Sequence, residues 1–168
     1  TELALCCKYI VVSDSPSTKI ALPEVNLGIL PGFGGTVRLP IRIGLQVAMD
    51  YILPGKNMAG EKAVKIGFAD ALLPHQDFQG RALEFGAKVI RGEVVRRKPK
   101  KTLMSVALEG NPLGRKVMFT QARKMVLQKS GGHYPAPLKI LDLLSENYGR
   151  NKKDAIAREQ RAFGELVI

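Results

Sequence analysis

Two carboxylates in apolar company are the residues best placed for chemistry. Glu2 stands early in a helix-forming run, Thr1-Glu2-Leu3-Ala4-Leu5, where the helix dipole favours a negative charge. Glu24 follows Pro23 and is flanked by Leu22, Val25 and Leu27. Desolvation among such neighbours raises a carboxylate pKa towards values useful for proton transfer. The two acids lie 22 residues apart. One reading is a pair facing a common pocket. The other is a helix-start charge and an unrelated loop acid, and the spacing leaves both open.

Beyond Glu24 comes a run of turn formers, Pro31-Gly32-Phe33-Gly34-Gly35-Thr36. A Walker-type phosphate loop needs Gly-Lys-Ser/Thr at its end, and here Thr36 and Val37 follow Gly35. A dinucleotide fingerprint needs a glycine where Val37 stands. Both nucleotide readings fail. A helix starting near Thr36 is still expected to present free N–H groups to an anion. No serine has a histidine partner nearby in sequence, so a serine hydrolase has no support. No His, Cys and carboxylate set has ligand spacing, and no metal is expected. His133, beside two glycines, reads as a loop residue packed on helices, and His75 as solvent-facing. Tyr9 and Tyr51 read as core. Lys56, in the turn after Pro54-Gly55, is a candidate contact for an anionic ligand.

The elements that must position these groups follow from periodicity and punctuation. Residues 1–9 read as a helix, 10–12 as a buried strand and 19–22 as a second strand. The turn chemistry at 13–18 makes the two strands a hairpin. The glycine turn leads into a helix interrupted near Pro40 and resumed at about 44–53. A short helix spans 60–65, with Gly67 as a left-handed C-cap, and 68–73 is a strand. Residues 77–91 form a helix with Leu83, Ala87 and Ile90 on one face. A basic linker follows, and helices are expected at about 113–129, 138–148 and 151–165. His133-Tyr134-Pro135-Ala136-Pro137 connects the first two of these. The fold class is α/β in the first part and wholly helical in the last. The division is 1–91, a linker at 92–112, and 113–168.

Composition narrows the classes. At 168 residues with 45% apolar content, the chain can bury one sizeable core. No apolar run approaches the ~18–20 residues that span a bilayer, and no secretory signal opens the chain. Cys6 and Cys7 are adjacent, which disfavours a disulfide between them. They read as buried small hydrophobes in a reducing compartment. The net charge of +11 attracts anions. Much of it crowds into 91–101, where Arg91, Arg96, Arg97, Lys98, Lys100 and Lys101 face only Glu93. No aromatic residue interleaves this run and Trp is absent, so nucleic acid is not expected.

Whole stretches carry a more specific signal. TELALCCKYIVV, LPEVNLGILPGFGGTVRLPIRIG and AGEKAVKIGFADALLP, in order over about residues 1–91, resemble the crotonase (enoyl-CoA hydratase) superfamily. GGHYPAP and the helices after it resemble the segment joining hydratase and dehydrogenase parts in the multifunctional alpha subunits of fatty-acid oxidation complexes. The resemblance implies the carboxy-terminal part of a ββα spiral followed by a helical region. It implies hydration of trans-2-enoyl-CoA by two glutamates, matched here by Glu2, which activates water, and Glu24, which moves the α-carbon proton. Leu27, Pro31, Gly32 and Phe33 would wall the acyl chain, and Lys56 would reach the CoA phosphates. The CoA thioester is substrate, and NAD enters only through a dehydrogenase part outside these residues.

The resemblance also implies a thiolase beta subunit as partner and a homo-oligomer. The location would be the cytoplasm of a bacterium or the mitochondrial matrix of a eukaryote. It places the oxyanion-hole N–H groups upstream of Thr1. Losing one such donor costs ~3–4 kcal/mol in the barrier, so the 168-residue chain alone is expected to be inactive, with exposed apolar surface and self-association. The alternatives are the related enoyl-CoA isomerase reaction, which moves a double bond by proton transfer, and a non-catalytic assembly module.

Overall fold

The computed structural model describes residues 1–97 and 107–167. Lys98, Lys100 and Lys101 of the basic run therefore lie outside the described residues. Helix α1 is a single turn, Glu2–Leu5, rather than the longer helix expected. Strand β1 is Val11–Ser13. A 3-10 turn at Glu24–Leu27 carries the second acid. Helices α2, Gly35–Ile43, α3, Leu45–Ile52, and α4, Gly60–Lys65, lead to strand β2, Ala71–Leu73. Four helices complete the described chain: α5, Phe78–Ile90; α6, Pro112–Ser130; α7, Pro135–Asn147; and α8, Lys152–Val167.

The expected hairpin does not form. β1 pairs in parallel with β2, in the register Val11↔Ala71, Val12↔Leu72, Ser13↔Leu73. Ile20 makes only an isolated antiparallel bridge to Met58. Parallel neighbours need a long crossover, and helices α2 to α4 supply it. Asp14 N–H donates to Leu73 O at 2.9 Å and Asp70 N–H to Ile10 O at 2.7 Å, extending the ladder at both ends.

Pro40 does not interrupt α2, which runs through it to Ile43. A mid-helix proline costs about 3 kcal/mol. Burial of Leu39 and Ile43 on the same helix, about 1.5–3 kcal/mol each, outweighs that. The break comes instead at Gly44, where φ is +92°, a conformation that a residue with a Cβ rarely adopts. Glu109 then accepts from Leu45 N at 3.2 Å and Gln46 N at 3.1 Å, capping the start of α3. In α7, Pro135 falls within the first turn, where its missing N–H costs nothing. From Pro135 onward the expected connection is therefore helix.

Helix α2 is the hub and touches α1, α3, α7 and α8. Its Arg42 is buried, donating Nε to Phe68 O at 2.8 Å and Nη1 to Lys8 O at 3.1 Å. Nη2 pairs with Asp70 Oδ2 at 2.5 Å. Asp70 in turn accepts from Ile10 N at 2.8 Å and Arg97 N at 2.9 Å. This clasp ties both strands to α2. One hydrophobic cluster joins residues of the first part, such as Leu30, Ile52 and Phe68, to Met118, Ile140 and Leu144 of the last helices.

Other expectations are corrected by exposure. Cys6 and Cys7 are both exposed, not buried. The Leu83 and Ile90 face of α5 looks into solvent, and that helix buries no residue. His133 is exposed rather than packed on helices, and Tyr9 is only half-buried. Tyr51 is core as expected.

Candidate active site

The glycine turn is the centre of the site. Glu2, delivered by the one-turn helix α1, reaches across to it. Its Oε1 accepts from Phe33 N at 2.9 Å and Gly35 N at 2.7 Å. A Cβ at Gly35 would lie 2.7 Å from Pro31 Cβ and 2.8 Å from Glu2 Oε1, so only glycine lets the carboxylate approach this closely.

A third carboxylate, not singled out from sequence, completes the turn. Glu159 of α8 is fully buried. It accepts from Gly34 N and the Thr36 hydroxyl, and from Thr36 N at 2.8 Å. All four N–H groups from Phe33 to Thr36 are thus taken by side chains of the chain itself. The expectation of free N–H groups for an external anion is overturned: the helix dipole and the orphan amides are already answered by two glutamates. Ala155, Glu159 and Ala162 are the buried residues of α8, at the i, i+4, i+7 spacing of one helix face, but in the sequence two alanines mark that face too weakly to single out the acid.

Glu24 sits on the 3-10 turn beside this network. Its Oε2 is buried and makes no hydrogen bond to the described residues. Burial, above all, pushes the Glu24 carboxyl above its ordinary range; its own backbone N–H pulls the other way, and the Glu2 charge adds to the rise. Glu159 is likewise pushed up by burial, against the pull of Thr36 and Gly34, with the Glu2 charge adding to the push. The turn bearing Glu24 is fixed from behind by Tyr134, whose hydroxyl donates to Val25 O.

The other candidates separate. Leu27 and Phe33 present largely exposed side chains, at 77% and 79%. Pro31 is fully buried and backs the turn. Gly32 lies against the Phe163 ring, which a Cβ would meet at 2.9 Å. Lys56 is exposed, with its Nζ 5.8 Å from the Tyr51 ring centre. A pocket of about 510 Å³ opens on the far side of the Glu24 turn, between Val25, Asn26, Leu53, Met125 and Tyr134. Among the described residues no cluster of three His, Cys, Asp or Glu could hold a metal, and no helix is long and apolar enough to cross a membrane.

The sequence profile of the enoyl-CoA hydratase/isomerase family matches residues 1–130. The chain belongs to that family. It is 43% identical over 166 residues to the fatty acid oxidation complex subunit alpha of Shewanella amazonensis. It is 42% identical over 167 residues to that of Aliivibrio fischeri. The alignments take in 99% of this chain and 23% of each relative, so the chain spans about a quarter of the length of these relatives. Among solved structures, the carnitinyl-CoA hydratase of Mycobacterium avium superposes with a TM-score of 0.58 at 20% identity, over 98% of this chain and 48% of that one. An enoyl-CoA hydratase of Mycobacterium tuberculosis gives 0.57 at 19% identity, over 99% and 56%. These likenesses show that the chain shares the family's fold, with a small parallel sheet among helices.

Proposed function

We propose that this chain carries the acid–base pair of a 2-enoyl-CoA hydratase acting in fatty-acid oxidation, with Glu2 and Glu24 as the catalytic residues. The observation that carries the proposal is the contrast between the two acids. Glu2 Oε1 is anchored by two backbone N–H groups, while Glu24 Oε2 is buried without a partner and its carboxyl is pushed towards the protonated form. A fixed carboxylate suits the removal of a proton from water, and a raised one suits delivery of a proton to carbon.

In the proposed step, the water oxygen bonds to C3 of the trans-2-enoyl thioester as Glu2 takes its proton. The double-bond electrons move towards C2 and the thioester oxygen, and C2 receives a proton from Glu24. The product is a 3-hydroxyacyl-CoA. The developing negative charge on the thioester oxygen needs N–H donors. The glycine turn offers none, since Glu2 and Glu159 occupy its N–H groups from Phe33 to Thr36. The resemblance to the family assigns the donors to residues preceding Thr1, and the full reaction to a longer protein. Leu27 and Phe33 stand as the apolar wall for the acyl chain, and Lys56 as a contact for CoA phosphate. The likeness to the alpha subunits extends the proposal to an NAD-dependent dehydrogenase part, a thiolase partner and a homo-oligomer in that longer protein.

The test is crotonyl-CoA hydration, followed by loss of enoyl absorbance. It is run with the 168-residue chain, with a protein of the relatives' full length, and with Glu2→Gln and Glu24→Gln in each. Activity confined to the longer protein and lost in both variants supports the reading. No hydration in any preparation defeats it. One observation favours double-bond isomerisation as a second reading: Glu2 is committed to the turn, leaving Glu24 as the acid with a free oxygen. Isomerisation that survives Glu2→Gln and fails in Glu24→Gln would favour that reaction.

A further inference from the structure

We propose that Glu159 is a positioning residue for the active site, acting through the glycine turn on Glu2; this rests on the hydratase reading above for its kinetic consequence. The argument begins with the turn itself. A run containing Gly32, Gly34 and Gly35 has high conformational entropy, so its shape must be imposed from outside. Two of its N–H groups, those of Gly34 and Thr36, are fixed by Glu159, which also takes the Thr36 hydroxyl. The alternate N–H groups, of Phe33 before Gly34 and of Gly35 between Gly34 and Thr36, are the two that hold Glu2.

Because successive peptide planes are linked through Cα, fixing the 34 and 36 amides fixes the direction of the 35 amide between them. Glu159 thus sets where Glu2 Oε1 must sit, although it does not touch that carboxylate. The geometry is stiff: Glu159 is fully buried and Thr36 is 2% exposed, so no water competes for these bonds. Phe163, one helical turn along from Glu159, packs against Gly32 and closes the other end of the turn. Helix α8 is in this sense part of the catalytic apparatus, not an appendage to it. Misplacement of a reacting group by about 1 Å can cost ~100-fold in rate, which is the scale on which such a device matters.

The experiment uses the protein at its relatives' full length and compares wild type with Glu159→Gln and Thr36→Val. Glutamine keeps one acceptor oxygen but turns an amide N–H₂ towards a backbone N–H. Thr36→Val removes one hydrogen bond and keeps the shape. Residue-level amide exchange is measured at 33–36, and kcat and KM are measured with crotonyl-CoA, corrected for folded fraction. Glu159→Gln is expected to accelerate exchange at Phe33 and Gly35 as well as at Gly34 and Thr36. It should lower kcat roughly 10–100-fold with KM changed less than about threefold. Thr36→Val should move both readouts in the same direction by less.

Unchanged exchange at Phe33 and Gly35 overturns the proposal. So does kcat that holds when those amides loosen. If Glu159→Gln does not fold, Thr36→Val decides by the same two readouts. If wild type does not hydrate crotonyl-CoA, the hydratase reading falls, and exchange at Phe33 and Gly35 still decides whether Glu159 positions Glu2.

Discussion

Glu2 and Glu159 hold alternate N–H groups of one turn. Glu2 takes those of Phe33 and Gly35, and Glu159 takes those of Gly34 and Thr36. Two like charges are thereby kept close, and the Glu2 charge helps raise the Glu159 carboxyl. The N–H dipoles and the positive end of α2 stand between them and offset the repulsion.

Gly35→Ala tests the closeness of that approach. The new Cβ would meet Pro31 Cβ at 2.7 Å and Glu2 Oε1 at 2.8 Å. Pro31 is buried and cannot yield, so the carboxylate must. Stability is expected to fall by ~1–3 kcal/mol, and kcat for hydration in the longer protein by about 100-fold. Steady-state kinetics alongside urea denaturation separates the two effects.

Glu24→Gln should stabilise the chain at neutral pH while abolishing catalysis, the usual conflict at a strained site. The sign follows from linkage. Glu24 has a raised pKa in the folded state, so the folded protein binds the proton more tightly and loses stability as pH rises through the window above the ordinary 4.5. Glutamine removes that loss. The variant's thermal midpoint is expected to exceed wild type at pH 7, and the difference to vanish below pH 4.5. A midpoint below wild type at pH 7 contradicts this.

Tyr134→Phe removes only the hydroxyl that holds Val25 O. A hydrogen bond of this kind contributes about 0.5–1.5 kcal/mol. The expected result is a modest loss of stability and a three- to tenfold loss of kcat in the longer protein, as the Glu24 turn loosens. Calorimetry and initial rates are the measurements.

Asp70→Ala strands Arg42 in the core without its partner. Removing one member of a buried pair costs about 3–5 kcal/mol. Replacing both, as Arg42→Met with Asp70→Leu, is expected to cost less than Asp70→Ala alone, because no charge is left buried. Denaturant titration of the variants gives the comparison.

What could be read from sequence was local or carried by motif. The helix starts, the Gly67 cap, now at φ +87°, and the family likeness of 1–91 all belong to contiguous residues. What escaped was non-local. Strands of three residues show no alternation, so the sequence pairs β1 with its neighbour at 19–22 rather than with its partner at 71–73. The Cys6-Cys7 pair reads as apolar enough to bury, yet both residues are exposed. Glu159 in AREQRAF reads as one charge among several on a solvated helix, until α8 is docked against α2.

The distance along the chain between Gly34 and Glu159 is 125 residues, and this has a consequence for how the molecule comes to be made. Glu2 and Glu24 are synthesised well before Glu159, so the turn that anchors Glu2 waits for α8. Closing so long a loop is entropically slow. Until α8 docks, the glycine turn is an unheld coil and Glu2 has nothing to grip. The geometry around Glu2 is thus set only once α8 has docked, and under the proposed reading a nascent chain stopped short of residue 159 would carry both acids without the hold on the turn that anchors one of them.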